Sequence, residues 1–153
     1  MTDTCIMGVD PGASGAVAFY YPKYPQRVAV YDVPIVGKEI NCSALMQLVQ
    51  THAPEMAIIE LVHSMPKQGV ASSFSFGMAF GMVRGVVSGA FIPTHLVSPT
   101  KWKKHFGLDS DKEKARALAI SKWPECAHFN RKKDHGRAEA ALLALYGAQA
   151  LVR

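Results

Sequence analysis

Cysteine and acidic residues are both scarce in this 153-residue chain. The three cysteines, Cys5, Cys42 and Cys126, are odd in number, widely spaced and form no CxxC pair. That pattern excludes a disulfide framework and a thiolate zinc site. Reduced, buried thiols fit a cytoplasmic protein. The N-terminal residues lack a charged region followed by an apolar run, so no signal peptide is expected. No repeat, linker or low-complexity tract interrupts the chain, and 1–153 reads as a single domain. Only Ser73 to Ile92 is apolar enough to raise the question of a membrane. Arg84 interrupts that stretch, and Gly77, Gly81, Gly85 and Gly89 suit close packing, so no membrane span is expected.

Apolar residues make up 49% of the chain and charged residues 19%, which is enough for a core and argues against disorder. The net charge is +5, and it is unevenly placed. Eleven bases and five acids fall between Lys101 and Arg137, a net +6, which leaves about −1 for the rest. A basic segment beside a nearly neutral one suits a polyanion partner.

The periodicity predicts a succession of strands and helices. Thr4 to Asp10, Gly15 to Tyr21 and Arg27 to Val33 read as three strands joined by short turns, an antiparallel meander. Asn41 or Ser43 is placed to cap a helix that runs to His52. Met56 to Glu60 is apolar until its last residue, the pattern of a strand buried on both faces. A helix over Ser72 to Ala90 and a strand over Thr94 to Val97 follow. Ser98-Pro99 opens a short helix, and Ser110-x-x-Glu113 is a capping box for another that reaches Lys122. A polar loop from Trp123 to Lys133 leads to a last helix, Asp134 to Leu151. Strands reached through helical crossovers lie parallel to their neighbours. The expected fold is therefore α/β, a five-stranded mixed sheet with three antiparallel strands, then two parallel, flanked by helices.

Three carboxylates stand out. Asp10 and Glu60 each end an apolar strand, where open α/β sheets place their sites. Glu139 sits in an alanine- and leucine-rich helix. Buried carboxylates close together need a cation, and oxygen-only ligands suit Mg²⁺ or Mn²⁺. Two such ions about 4 Å apart clamp the attacking water and the leaving oxygen in phosphodiester cleavage. Each residue also has a structural explanation. Asp10 can cap its Pro-Gly turn, Glu60 can pair with Lys67 or Arg84, and Glu139 can pair with Arg137. His135 lies one helical turn before Glu139 as a ligand or general base, and Asp134 is either a ligand or a helix cap.

At these residues the sequence resembles a family. Met7-Gly8-Val9-Asp10-Pro11-Gly12 with Gly15-Ala16-Val17-Ala18, then Ala57-Ile58-Ile59-Glu60, resembles the first hairpin and second acidic strand of RuvC-type Holliday junction resolvases. Val97-x-Pro99-x-x-Trp102-Lys103 and Arg137-Ala138-Glu139-Ala140 are similar to that family's fifth strand and final acidic helix. The resemblance implies an RNase H-like fold, a homodimer, and Mg²⁺- or Mn²⁺-dependent nicking of four-way junctions with two ions per site. It carries catalytic roles onto Asp10, Glu60 and Glu139. Many relatives bear a second carboxylate three residues before the last one, where this chain has Gly136. The fourth ligand is then His135, Asp134 or water. His63 lies in the loop that in the family inserts a side chain at the junction centre.

DNA contacts are expected from Lys101, Lys103 and Lys104 around Trp102, and from Arg131, Lys132 and Lys133. Trp102 itself reads as a core anchor. The four-residue spacing of the glycines in the long helix serves either helix–sheet packing or a two-fold dimer interface. Three rival functions follow from the same residues. An ATPase of the actin and sugar-kinase class is disfavoured by the single phosphate-type hairpin. A nuclease for general branched DNA or RNA–DNA hybrids, and a junction-binding relative without activity, are closer.

Overall fold

The computed structural model describes residues 3–63 and 65–152. Its main sheet has five strands, in the spatial order Val28–Asp32, Ala16–Tyr20, Ile6–Asp10, Met56–Glu60, Thr94–Val97. The first three strands, β1 (Ile6–Asp10), β2 (Ala16–Tyr20) and β3 (Val28–Asp32), form the antiparallel meander. After them come a small hairpin of β4 (Ile35–Val36) and β5 (Glu39–Ile40), and helix α1 (Cys42–His52). Strand β6 (Met56–Glu60) pairs parallel to β1. Helix α2 (Val70–Gly89) then leads to β7 (Thr94–Val97), parallel to β6. Helices α3 (Pro99–His105), α4 (Lys112–Lys122) and α5 (His135–Tyr146) complete the chain, and α5 runs on into a π turn, Gly147–Leu151.

Strand periodicity divides the core in two. Met7, Val9, Ala57 and Ile59 pack with α1 and α2 on one face. Ile6 and Ile58 pack with α3, α4 and α5 on the other. Two residues along each strand, Gly8 and Asp10 share the face of Ile6, and Glu60 shares that of Ile58. Both carboxylates therefore point toward α5. That helix lies directly on β1, because Gly8 leaves room for it. A Cβ at Gly8 would run into the Ala140 carbonyl and lie 2.5 Å from the Ala144 nitrogen. The other end of the helix is fitted the same way, with Gly147 against Ile6 and Ile58. Thus α5 runs antiparallel to β1, and its first turn sits over Asp10.

The caps were partly foreseen. The Asn41 side chain accepts from the Ala44 N–H at 3.1 Å, and Ser98 accepts from Lys101 with Pro99 in the first turn. The expected capping box on Ser110 does not form. Asp111 is the cap, its carboxylate accepting from the Glu113 N–H at 3.0 Å, while Glu113 turns to Arg116. The loop from Trp123 is not merely polar, since Trp123 and Phe129 are fully buried. Arg116 on α4 ties this loop down by donating to the Phe129 and Asn130 carbonyls.

The glycines of α2 do not pack against the sheet. Ala79, Val83, Val86 and Val87 do so, and nothing lies within 4 Å of a Cβ built at Gly77, Gly81 or Gly85. The helix is long and apolar enough, by length and composition, to cross a membrane. Here one side of it covers the sheet, and the opposite side is an outward glycine face flanked by exposed Val70 and Phe74.

Candidate metal centre

Asp10 comes from the end of β1, Glu60 from the end of β6 beside it, and Glu139 from the second turn of α5 above them. One carboxylate oxygen from each lies within 4.8 Å of the others. The structural alternatives for these residues are not realised. Glu60 pairs with neither Lys67 nor Arg84 but accepts from the Trp102 indole N–H at 2.8 Å. Arg137 pairs with Asp32 rather than Glu139. Glu139 is 3% exposed and faces the Lys103 ammonium at 4.0 Å.

Burial is the largest influence on all three groups and pushes each above the ordinary carboxylate range. For Asp10 the charges of Glu139 and Glu60 add to it. For Glu60 the Trp102 hydrogen bond opposes it. The charges of Lys103 and Lys112 act on all three in the lowering direction without cancelling the effect. One buried and two half-buried carboxylates that resist ionisation are a fitting donor set for a hard divalent cation.

A pH dependence follows. A carboxyl raised in the folded state binds its proton more tightly there than in the unfolded chain. Its stabilising contribution is full at low pH and is lost as pH rises from the ordinary values of 3.8 and 4.5 through the raised ones. Added Mg²⁺ or Mn²⁺ is therefore expected to raise the melting temperature at neutral pH. The gain should shrink as the pH falls and protons take the place of metal. Thermal melts across pH, with EDTA or metal, check this.

Trp102 was expected to be a core anchor. It is fully buried, and it also holds a carboxylate of the site. Trp102→Phe keeps most of the packing and removes the donor. Loss of such an orienting hydrogen bond is expected to weaken divalent-metal affinity about 10- to 100-fold, with a much smaller change in melting temperature. Metal titration of the purified variant measures it.

The remaining candidates fall in different places. Asp134 is not brought to the metal group. It is buried, and Arg131 holds it through its backbone N–H at 2.8 Å and through Nε and Nη2 at 3.1 and 2.8 Å. Burial raises its pKa, but the Arg131 hydrogen bonds and the charge of Arg137 outweigh this and hold the carboxyl low. Nor does its side chain cap α5. His135 lies at the first position of α5, outside the carboxylate group, and its Nδ1 is buried with no hydrogen-bond partner among the described residues. At Gly136 the packing is tight. A Cβ would sit 2.9 Å from Asp10 Oδ2.

Lys101, Lys104, Lys132, Lys133 and His63 are exposed, and Lys103 is half-buried over the Trp102 ring. Sequence reasoning assigned no role to Lys112. It opens α4, and nothing in its spacing relative to Asp10, Glu60 or Glu139 marks it. Only the packing of α4 beside α5 brings its charge to bear on the carboxylates.

No protein-family model matches this sequence, and no curated protein matches it either. The fold does have relatives among solved structures. The RuvC of T. thermophilus in complex with Holliday junction substrate aligns with a TM-score of 0.72 at 16% identity, over 95% of each chain. A second Thermus thermophilus RuvC structure aligns at 0.64 and 14% identity, over 95% of this chain and 96% of that one. The architecture is thus the RNase H-like fold of RuvC, as the sequence resemblance implied.

Proposed function

We propose that this protein is a metal-dependent, structure-selective DNA endonuclease that nicks four-way Holliday junctions. The observation that carries the reading is the convergence of Asp10, Glu60 and Glu139, from two adjacent strands and a covering helix, within 4.8 Å. The fold shared with RuvC supports it.

Asp10, Glu60 and Glu139 would hold two Mg²⁺ or Mn²⁺ ions. Such ions supply Lewis-acid activation of a phosphodiester and of water, with no covalent enzyme intermediate. The chain's own residues prepare that chemistry. Trp102 fixes the orientation of Glu60. Lys103 and Lys112 bring positive charge to the same edge, where a scissile phosphate carries negative charge. His135, whose buried Nδ1 has no hydrogen-bond partner among the described residues, is the proposed fourth ligand or proton acceptor. The exposed Lys101, Lys104, Lys132 and Lys133 supply contacts to the backbone of the arms, and His63 lies on the loop that follows Glu60. We place this activity in the cytoplasm.

The active unit is a homodimer joined across the glycine face of α2. Three glycines with nothing beside them, flanked by exposed Phe74 and Val70, suit the close approach of a two-fold mate. Gly81→Glu, a charge on that open face, is expected to turn a dimer into a folded monomer in sedimentation, and paired nicking should fall with it. A wild-type chain that sediments as a monomer would contradict the assignment.

The substrate class is tested with labelled four-way junctions, forks, linear duplex and RNA–DNA hybrid in Mg²⁺. Junctions are expected to be cut in preference to the other three. Equal cutting of forks, or preference for the hybrid, would replace the junction reading with one of a broader nuclease.

A further inference from the structure

We infer that the cleft between the β1–β2 turn and the segment Arg131–Arg137 is a subsite for one additional phosphodiester of the cut strand, with Asp32 as its built-in competitor. The inference rests on the nuclease reading above. The cleft has a volume of about 540 Å³, and its charged and polar lining is Ser14, Asp32, Arg131, Lys133, Asp134 and Arg137. It adjoins the carboxylates directly. A Cβ at Gly136 would lie 2.9 Å from Asp10 Oδ2 and 3.7 Å from the carbonyl oxygen of Ser14, and Ser14 and Gly15 line the cleft.

The lining carries three cations and two carboxylates, which leaves one positive charge, the complement of one phosphodiester. The two carboxylates play different parts. Asp134 is 2% exposed and bound on several sides by Arg131, with Arg137 at 3.8 Å. It braces both guanidiniums and is not displaceable. Asp32 ends β3 with a side chain 68% exposed, and it takes Arg137 in a two-pronged contact, Nε to Oδ1 at 2.8 Å and Nη2 to Oδ2 at 2.9 Å. A phosphate offers a guanidinium the same two-pronged geometry. An exposed ion pair is worth little, so exchange of Asp32 for phosphate costs little. Arg137 meanwhile keeps its place through Asp134 and the His128 carbonyl. Lys133 has no ion-pair partner among the described residues and is the surplus charge. The run Arg131-Lys132-Lys133 is therefore not three equivalent phosphate contacts, because Arg131 is held as framework while Lys133 lines the cleft.

The test measures binding of a fluorescent four-way junction over a salt series in EDTA, where no cutting occurs, with melting temperatures to show that each variant is folded. Lys133→Gln is expected to weaken binding about three- to tenfold and to reduce the slope of log K against log salt by about 1. Asp32→Asn is expected to act in the opposite direction, tightening binding several-fold by releasing Arg137. A merely structural Asp32–Arg137 pair would not give that tightening. Unchanged slope in Lys133→Gln, or equal or weaker binding in Asp32→Asn, overturns the subsite while wild-type binding leaves the nuclease reading standing. Failure of the wild-type protein to bind the junction overturns the nuclease reading itself.

Discussion

Asp10→Asn is expected to abolish cutting and leave junction binding intact. The amide has nearly the same shape but lacks the charge that holds a divalent ion. Loss of several kcal/mol of transition-state stabilisation corresponds to at least about a 1000-fold fall in rate. The same substitution should raise the melting temperature of the metal-free protein. Desolvation and the charges of Glu139 and Glu60 beside it all push the Asp10 pKa up, so its ionised form is a burden on the fold. The variant should also lose the metal-induced rise in melting temperature. Single-turnover cleavage, junction binding and thermal melts with and without Mg²⁺ read the three effects separately. A variant that loses binding and cutting together, with a lower melting temperature, would make Asp10 a structural residue.

The second large effect is expected at Gly8. Its missing side chain is what lets α5 lie on β1, and the atoms in the way of a Cβ are backbone atoms of Ala140 and Ala144. They cannot swing aside as a flexible side chain would. Gly8→Ala must lift the helix, at a cost of about 1–3 kcal/mol or more. For a domain of this size that corresponds to a fall of about 3–10 °C in melting temperature. Glu139 precedes Ala140 in the same helix turn, so the lift also moves its carboxylate away from Asp10 and Glu60. Cutting should fall further than the loss of folded protein explains. Wild-type melting and activity in Gly8→Ala would show that the helix is not seated as described.

Much of this site was legible because strand periodicity is simple. Asp10 and Glu60 each close a five-residue apolar strand, and a period of two sends both to the face that α5 covers. Glu139 was conspicuous as the lone acid in an alanine- and leucine-rich helix, and it is buried there. What escaped depends on packing between elements distant in sequence. The Trp102–Glu60 hydrogen bond joins residues 42 apart, and Lys112 reaches the site only through the seating of α4. By position alone Asp134 could be a ligand or a helix cap. Its carboxylate accepts from both the backbone N–H and the guanidinium of Arg131, a pairing that position alone does not show. Spacing showed that the α2 glycines share a face, but not whether that face looks inward. The larger apolar residues Val83, Val86 and Val87 take the sheet side and leave the glycines outward. The β4–β5 hairpin has two residues per strand, too few for a period to register.

Asp10, Glu60 and Glu139 are proposed to form a metal-dependent nuclease centre for branched DNA. Its most direct test is the mapping of nicks on an end-labelled four-way junction incubated with the purified protein in Mg²⁺, in Mn²⁺ and in EDTA. Paired nicks at symmetric positions on two opposing strands are expected in either metal, and none in EDTA. A junction that is bound but uncut in both metals would contradict the proposal.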